Sequence, residues 1–303
     1  MTSAQIQLPL AVALKKVLYL TDFSASSEAA LPFALAMARK HSGSIEVLHV
    51  LTPVIPESCR DVLKADEELA DAEMTKIRSQ ITGILCEMTM AQGEGLWEAI
   101  ERAIREHGVD LLVAGTHGRT GVPKLVLGSV AEEVFRRSPV PVLTVGPSVR
   151  RTAPVQFNRV LLATDFSSES EAAAPYALAF AAEKKSQLTL LHAMPKAEVR
   201  APGGQKAFDA SVAEVVNRLY QLLPGNPKLW SPVEVAVEFG EAADCIVEGA
   251  RQQQADLIVL GVRNAAGHLS GATHLERAIA HKVVIHAPCP VLTVRAHEAA
   301  ASA

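Results

Sequence analysis

Three segments of this chain occur twice in the same order, and that repetition limits the fold more than any other feature. Val17-Leu-Tyr-Leu-Thr-Asp-Phe-Ser24 returns as Val160-Leu-Leu-Ala-Thr-Asp-Phe-Ser167, with Asp165 standing 143 positions after Asp22. At the same offset Pro32 maps onto Pro175 and His49 onto His192. Asp110-Leu-Leu-Val-Ala-Gly115 returns as Asp256-Leu-Ile-Val-Leu-Gly261 at an offset of 146, and Pro139-Val-Pro-Val-Leu-Thr-Val145 as Pro288-Cys-Pro-Val-Leu-Thr-Val294 at 149. An offset that drifts only by small insertions is the mark of one domain duplicated. The 303 residues therefore divide into domains 1–148 and 149–303, joined through a linker from Pro147 to Phe157.

Within each copy, short apolar runs such as VLYL, VLHV and LLVAG are bounded by Asp, Gly or Pro and separated by longer helical patterns. Continuous apolar runs of that length suit strands buried on both faces. Strand alternating with helix gives right-handed βαβ units, so an α/β fold with a parallel sheet covered on both sides is expected. Ser168-x-x-Glu171 fits a capping box at the start of the first helix of copy two. Pro32 and Pro175 fall about two turns into their helical patterns, which predicts a kink or a late helix start. After the turn-forming stretch VIPESCRD, a charged helix is expected from about Ala65.

Several function classes are excluded at this level. A net charge of −4 does not supply the concentrated basic surface that phosphate-backbone binding needs, so no nucleic acid is expected as partner. The apolar run from Leu8 to Leu14 precedes its lysines, unlike a signal peptide, and no stretch approaches a membrane span. Cys59, Cys86, Cys245 and Cys289 show no metal-ligand or redox spacing. A cytoplasmic chain with inert thiols and no membrane contact is predicted.

Copy one contains Gly115-Thr-His-Gly118-Arg-Thr-Gly-Val-Pro-Lys-Leu-Val-Leu-Gly128-Ser129, a G-x2-G-x9-G-S pattern between a predicted strand and a helix that runs through Arg137. Together with Thr-Asp-Phe-Ser after the first strand and the closing PVPVLTV strand, it resembles the ATP-binding signature of the universal stress protein family. The likeness covers nearly the whole chain, once per half. It implies two tandem doubly wound parallel five-stranded sheets, Rossmann-like, with strand order 3-2-1-4-5.

That order makes strands one and four neighbours, so Asp22 and Gly115 would face one crevice at the point where ligands bind in open α/β sheets. Gly115 and Gly118 would let backbone amides approach an anion, and Gly128 with Ser129 would open a helix whose N-terminus favours phosphate. By resemblance the ligand is an adenine nucleotide, ATP or ADP or AMP, with Mg2+ as a phosphate-bound metal. Thr21 and Val50 would frame the adenine, and Asp22 would hold the ribose or the metal. The glycines and Ser129 would hold the phosphates, with His117, Arg119 and Lys124 near them. Read on their own, Asp22 also suits a cap of the first helix, the glycines suit tight packing, and Arg119 and Lys124 suit solvated loop charges.

Copy two departs from the pattern. Gly261 and Asp165 are kept, but Asn264 replaces Gly118, Ala193 replaces Val50, and Arg277 and Ala278 fall at Gly128 and Ser129. Gly271 stands ten residues after Gly261, which reads as out of register with the helix. Copy two is therefore expected not to bind ATP in the usual manner, because a Cβ fills the space that phosphate needs. His268, His274, His281 and His286 lack helical i, i+4 spacing and are read as surface or helix-end residues. His49 and His192 are read as packing and hydrogen-bonding groups. No G-x-x-x-x-G-K-[ST] and no G-x-S-x-G is present, so at most slow ATP hydrolysis is expected. The prolines flanking each closing VLTV suit edge strands. The resemblance implies pairing through them, between the two copies and between chains in a homodimer.

Overall fold

A computed structural model of the chain describes residues 12, 14–51, 60–92, 95–116, 128–150, 154–182, 186–197, 204–225, 232–262 and 271–296. The chain divides into two compact units, Ala13–Pro147 and Gln156–Ala303, with residues 148–155 shared between them.

The first unit alternates strand and helix: β1 (Lys16–Leu20), α1 (Ala25–Lys40), β2 (Ser44–Leu51), α2 (Arg60–Gln80), β3 (Leu85–Gln92), α3 (Leu96–His107), β4 (Leu111–Gly115), α4 (Ser129–Arg137) and β5 (Val142–Val145). Its strands are all parallel, in the order β3-β2-β1-β4-β5. The second unit repeats this with β6 (Arg159–Ala163), α5 (Ser168–Ala181), β7 (Gln187–Met194), α6 (Gly204–Gln221), β8 (Val233–Phe239), α7 (Ala242–Gln252), β9 (Leu257–Val262), α8 (Gly271–His286) and β10 (Val291–Arg295). Its order is β8-β7-β6-β9-β10, again parallel. Each unit thus has the 3-2-1-4-5 order, which reverses direction between its first and fourth strands. No helix among the described residues is long and apolar enough to cross a membrane.

The central strands β1, β4, β6 and β9 are buried almost throughout, whereas β3 and β8 are mostly only partly buried. That gradient explains why the apolar runs of the sequence are unbroken only in the middle of each sheet. Each first helix is started by a serine: Ser24 Oγ accepts from Ser27 N and Ser167 Oγ from Ser170 N. The cap of α5 is therefore Ser167, one residue before the predicted Ser168, because it repeats the position of Ser24. Pro32 and Pro175 lie inside α1 and α5, which begin seven residues earlier, so the late start does not occur. The helix expected from Ala65 begins at Arg60.

The aspartate that opens each DLLVAG-like segment has a structural role. Asp110 accepts from the backbone amides of Lys15 at 2.9 Å and Lys16 at 3.0 Å, tying the start of β1 to the start of β4. Asp256 does the same for β6, with Arg159 N at 3.1 Å and Asn158 N at 3.3 Å. Burial pushes the Asp110 carboxyl above its ordinary pKa even though these bonds favour the charged form.

Tyr19, next to the last residue of β1, has no exposed surface and donates from Oη to Ser27 O at 2.8 Å. Burial pushes its pKa from 10.0 up to about 12. The unfolded chain loses this proton first, so stability is whole below about pH 10 and falls as pH climbs toward the folded value. Between about pH 9 and about pH 11.5 this group alone should remove about 2 kcal/mol. Urea unfolding of the first unit should show that loss in the native chain and a shallower one in Tyr19→Phe; identical pH slopes would refute it. The counterpart of Tyr19 is Leu162, so the effect belongs to the first unit.

Candidate functional site

The site is built where β1 and β4 run side by side, with Val17, Leu18 and Tyr19 in register with Leu111, Leu112 and Val113. Their carboxyl ends deliver Thr21-Asp22 and Gly115-Thr116. Thr21 is 6% exposed, and its amide is held by Leu48 O at 3.0 Å. His49 Nδ1 lies 2.8 Å from Thr21 O, and the His49 ring stacks on Phe23 with centroids 4.2 Å apart. Phe23 sits at φ 61°, a conformation that bulky residues rarely adopt. It persists because the surroundings fix it from several sides: Phe23 N donates to Thr21 Oγ1 at 3.1 Å and Ser24 N donates to Asp22 Oδ1 at 3.1 Å. Asp22 makes an Asx turn and Ser24 makes the cap, so the cap reading of Asp22 does not hold.

Gly115 has a packing reason that the motif concealed. A Cβ at this position would collide with Ser26 O and lie 2.6 Å from the Ser26 carbonyl carbon. The glycine lets the first turn of α1 press directly on the end of β4. Gly128 N donates to Thr116 O at 2.7 Å, which fastens the start of α4 to the end of β4, and Thr116 N donates to Val145 O of β5 at 3.2 Å. Gly128 is the N-cap of α4 and provides no side-chain acceptor for the first-turn amides. Val50, half-buried at the end of β2, packs on the core beneath the site. Thr21, Asp22, Val50, Gly115, Gly128 and the backbone of Ser129 thus stand at the carboxyl ends of β1, β2 and β4 and at the start of α4. His117, Gly118, Arg119 and Lys124 lie outside the described residues.

The second unit rebuilds the same turn with different bonding. Phe166 adopts φ 62° and stacks on His192 at 4.7 Å, while His192 Nδ1 lies 2.8 Å from Thr164 O. Both histidines therefore have the packing and hydrogen-bonding role predicted for them. The guanidinium of Arg218 lies 3.9 Å over the Phe166 ring. Asp165 Oδ1 accepts from Ser167 N at 3.0 Å, Ser167 Oγ at 2.5 Å and Ser170 Oγ at 2.6 Å. Burial works to raise the pKa of this carboxyl, and the serine bonds overcome it, so it stays below the usual carboxylate range. In the first unit Ser27 Oγ instead donates to Ser24 O at 2.9 Å.

A cavity of about 100 Å³ opens beside Asp165, lined also by Thr164, Ser170, Ala193, Gly261 and Ala280. It is smaller than the roughly 300 Å³ at which pockets for larger ligands begin. Gly261 serves packing as Gly115 does, since a Cβ there would collide with Glu169 O. Helix α8 begins at Gly271, so this glycine opens the helix rather than falling out of register with it. Arg277 and Ala278, aligned with Gly128 and Ser129 by sequence, sit inside α8 and away from its first turn. Asn264 and His268 lie outside the described residues.

Burial raises the pKa of Cys86, Cys245 and Cys289, which fits inert thiols; Cys59 lies outside the described residues. Sequence reasoning missed Ser26, whose backbone sets the need for Gly115, and the aspartate pair Asp110 and Asp256. The signal for the aspartates was present, since both recur at one offset, but their partners are far away in the chain.

Comparison with known proteins places these features in a group. The model of the universal stress protein family matches residues 13–146 and again 156–295. A universal stress protein of Mycolicibacterium smegmatis is 25% identical over 285 residues, covering 90% of this chain and 95% of the relative. Universal stress protein YxiE of Bacillus subtilis is 32% identical over 145 residues, which is 43% of this chain and 97% of that protein. The crystal structure of a universal stress protein from Archaeoglobus fulgidus matches in fold, with a TM-score of 0.64 at 24% identity, over 92% of this chain and 98% of its own.

Proposed function

Because the chain belongs to the universal stress protein family, we propose that it is an adenine-nucleotide-binding regulatory protein of the stress response, with ATP held in the first unit and Mg2+ on its phosphates. The observation that carries this reading is the meeting of Thr21-Asp22 and Gly115-Thr116 at the ends of adjacent strands, with Gly128 N bonded back to Thr116 O. That closure brings the start of α4 to the strand ends, where its first-turn amides and dipole suit a phosphate. Thr21 and Val50 frame the base, and Asp22 takes the ribose or the metal. Gly115, Gly118, Gly128 and Ser129 form the phosphate loop, with His117 and Arg119 as its cations. Occupancy of the site then biases conformation or partner choice, and chains associate through the closing strands β5 and β10. A cradle without a positioned general base binds ground and transition states alike, so hydrolysis is slow.

The second unit does not hold ATP in this way. In support, its Asp165 is tied down by Ser167 and Ser170, and its helix α8 opens on Gly271-Ala272, with no serine after the glycine.

Heat denaturation of the purified chain, followed by identification of what it releases, tests the proposal. About one adenine nucleotide per chain is expected after loading with ATP. Release of none, with none bound on reloading, would leave a scaffold with a vestigial site.

A further inference from the structure

At the amino ends of β2 and β3, at the opposite end of the first sheet from Thr21 and Gly115, three ligand-bearing side chains converge. Glu46 of β2 and Glu87 of β3 are register partners, and His107 closes α3 beside them. One carboxylate oxygen from each glutamate and one ring nitrogen of His107 lie within 4.8 Å of one another. Glu46 has no exposed surface; its Oε1 accepts from Thr89 Oγ1 at 2.9 Å and its Oε2 lies 2.8 Å from His107 Nδ1. Lys16 Nζ donates to Glu87 Oε2 at 3.2 Å.

A carboxylate buried in an interior strand is costly unless it is compensated. The fold itself does not require one. In the second unit the matching positions carry Thr189, buried and in register with Glu234, and Gln253 after α7. There Glu234 keeps the carboxylate of Glu87, while neutral Thr189 and Gln253 complete the same architecture in place of Glu46 and His107, so the buried glutamate and the histidine of the first unit exceed what packing asks for.

We propose that Glu46, Glu87 and His107 form a binding site for a divalent transition cation, Zn2+ above all. One imidazole nitrogen and two carboxylates are a donor set that zinc accepts, at about 2.0–2.2 Å, with a fourth position left to water. The Nδ1 to Oε2 separation of 2.8 Å needs to open by only about half an ångström to become the edge of a zinc tetrahedron. The ion takes the place of the proton shared by His107 and Glu46. Thr89 fixes the Glu46 carboxylate from the far side and Lys16 steadies Glu87, the outer contacts that orient ligands in such sites. Half-exposed Glu87 and His107, at 53% and 32% of their side-chain surface, give the ion a path from solvent.

Cobalt(II) titration of the full chain, stripped with chelator and monitored by its visible absorption, tests the site, with Zn2+ displacing the cobalt. One Co2+ per chain with the intense bands of a tetrahedral centre is expected. Glu87→Gln, at an exposed position, should weaken binding about tenfold or more. The pair Glu46→Thr with His107→Gln, copied from the second unit so that the fold is kept, should abolish the bands. No such spectrum in the native chain, or a spectrum unchanged in both variants, overturns the proposal.

Discussion

Gly115→Ala should destabilise the first unit by about 3 kcal/mol, and Gly261→Ala should do the same to the second. Each added methyl would meet main-chain atoms of the facing helix: the Ser26 carbonyl in one unit, and Glu169 O with Ser170 N in the other. A side chain can swing aside, but a helix backbone must move as a whole. Hydrogen exchange followed separately in each unit is the appropriate measurement, because each substitution should raise exchange only in its own unit. Unchanged protection in Gly115→Ala together with lost nucleotide binding would return Gly115 to a purely phosphate-binding role.

The second large effect is at Asp22. Asp22→Ala should weaken ATP binding about tenfold to a hundredfold, the usual range for removing a hydrogen bond to a charged group. Because Asp22 Oδ1 also receives Ser24 N, some of the loss in alanine is loss of the turn. Asp22→Asn keeps that acceptor and separates the two: it should retain the stability of the native chain while still binding ATP less well. Asp165→Ala should leave ATP affinity unchanged, since its carboxylate is occupied by Ser167 and Ser170. Equal losses at Asp22 and Asp165 would contradict the assignment of ATP to the first unit.

These variants mark how far the sequence could be read. The repeated Thr-Asp-Phe-Ser and DLLVAG segments revealed the duplication, and the family likeness they carry gave the strand order, hence the adjacency of Asp22 and Gly115. Periodicity alone did not place the helix starts. Ser167 and Ser168 are both competent caps, and only the hydrogen bond from Ser170 N distinguishes them. Nor could a motif reveal that Gly115 faces Ser26, because a close approach depends on how deeply α1 settles on β4. The pairing of Glu46 with His107 across 61 residues is likewise a product of the fold. Most telling, Thr-Asp-Phe-Ser is identical in both copies and ends in different hydrogen bonds, since Ser27 turns to Ser24 O and Ser170 to Asp165.

The central claim, one ATP site per chain located in the first unit, is tested most directly by calorimetric titration of nucleotide-free chain with Mg-ATP. A stoichiometry of one is expected, with the site lost or weakened in Asp22→Ala and retained in Asp165→Ala. Two equivalent sites, or one site that survives Asp22→Ala and disappears in Asp165→Ala, would contradict it.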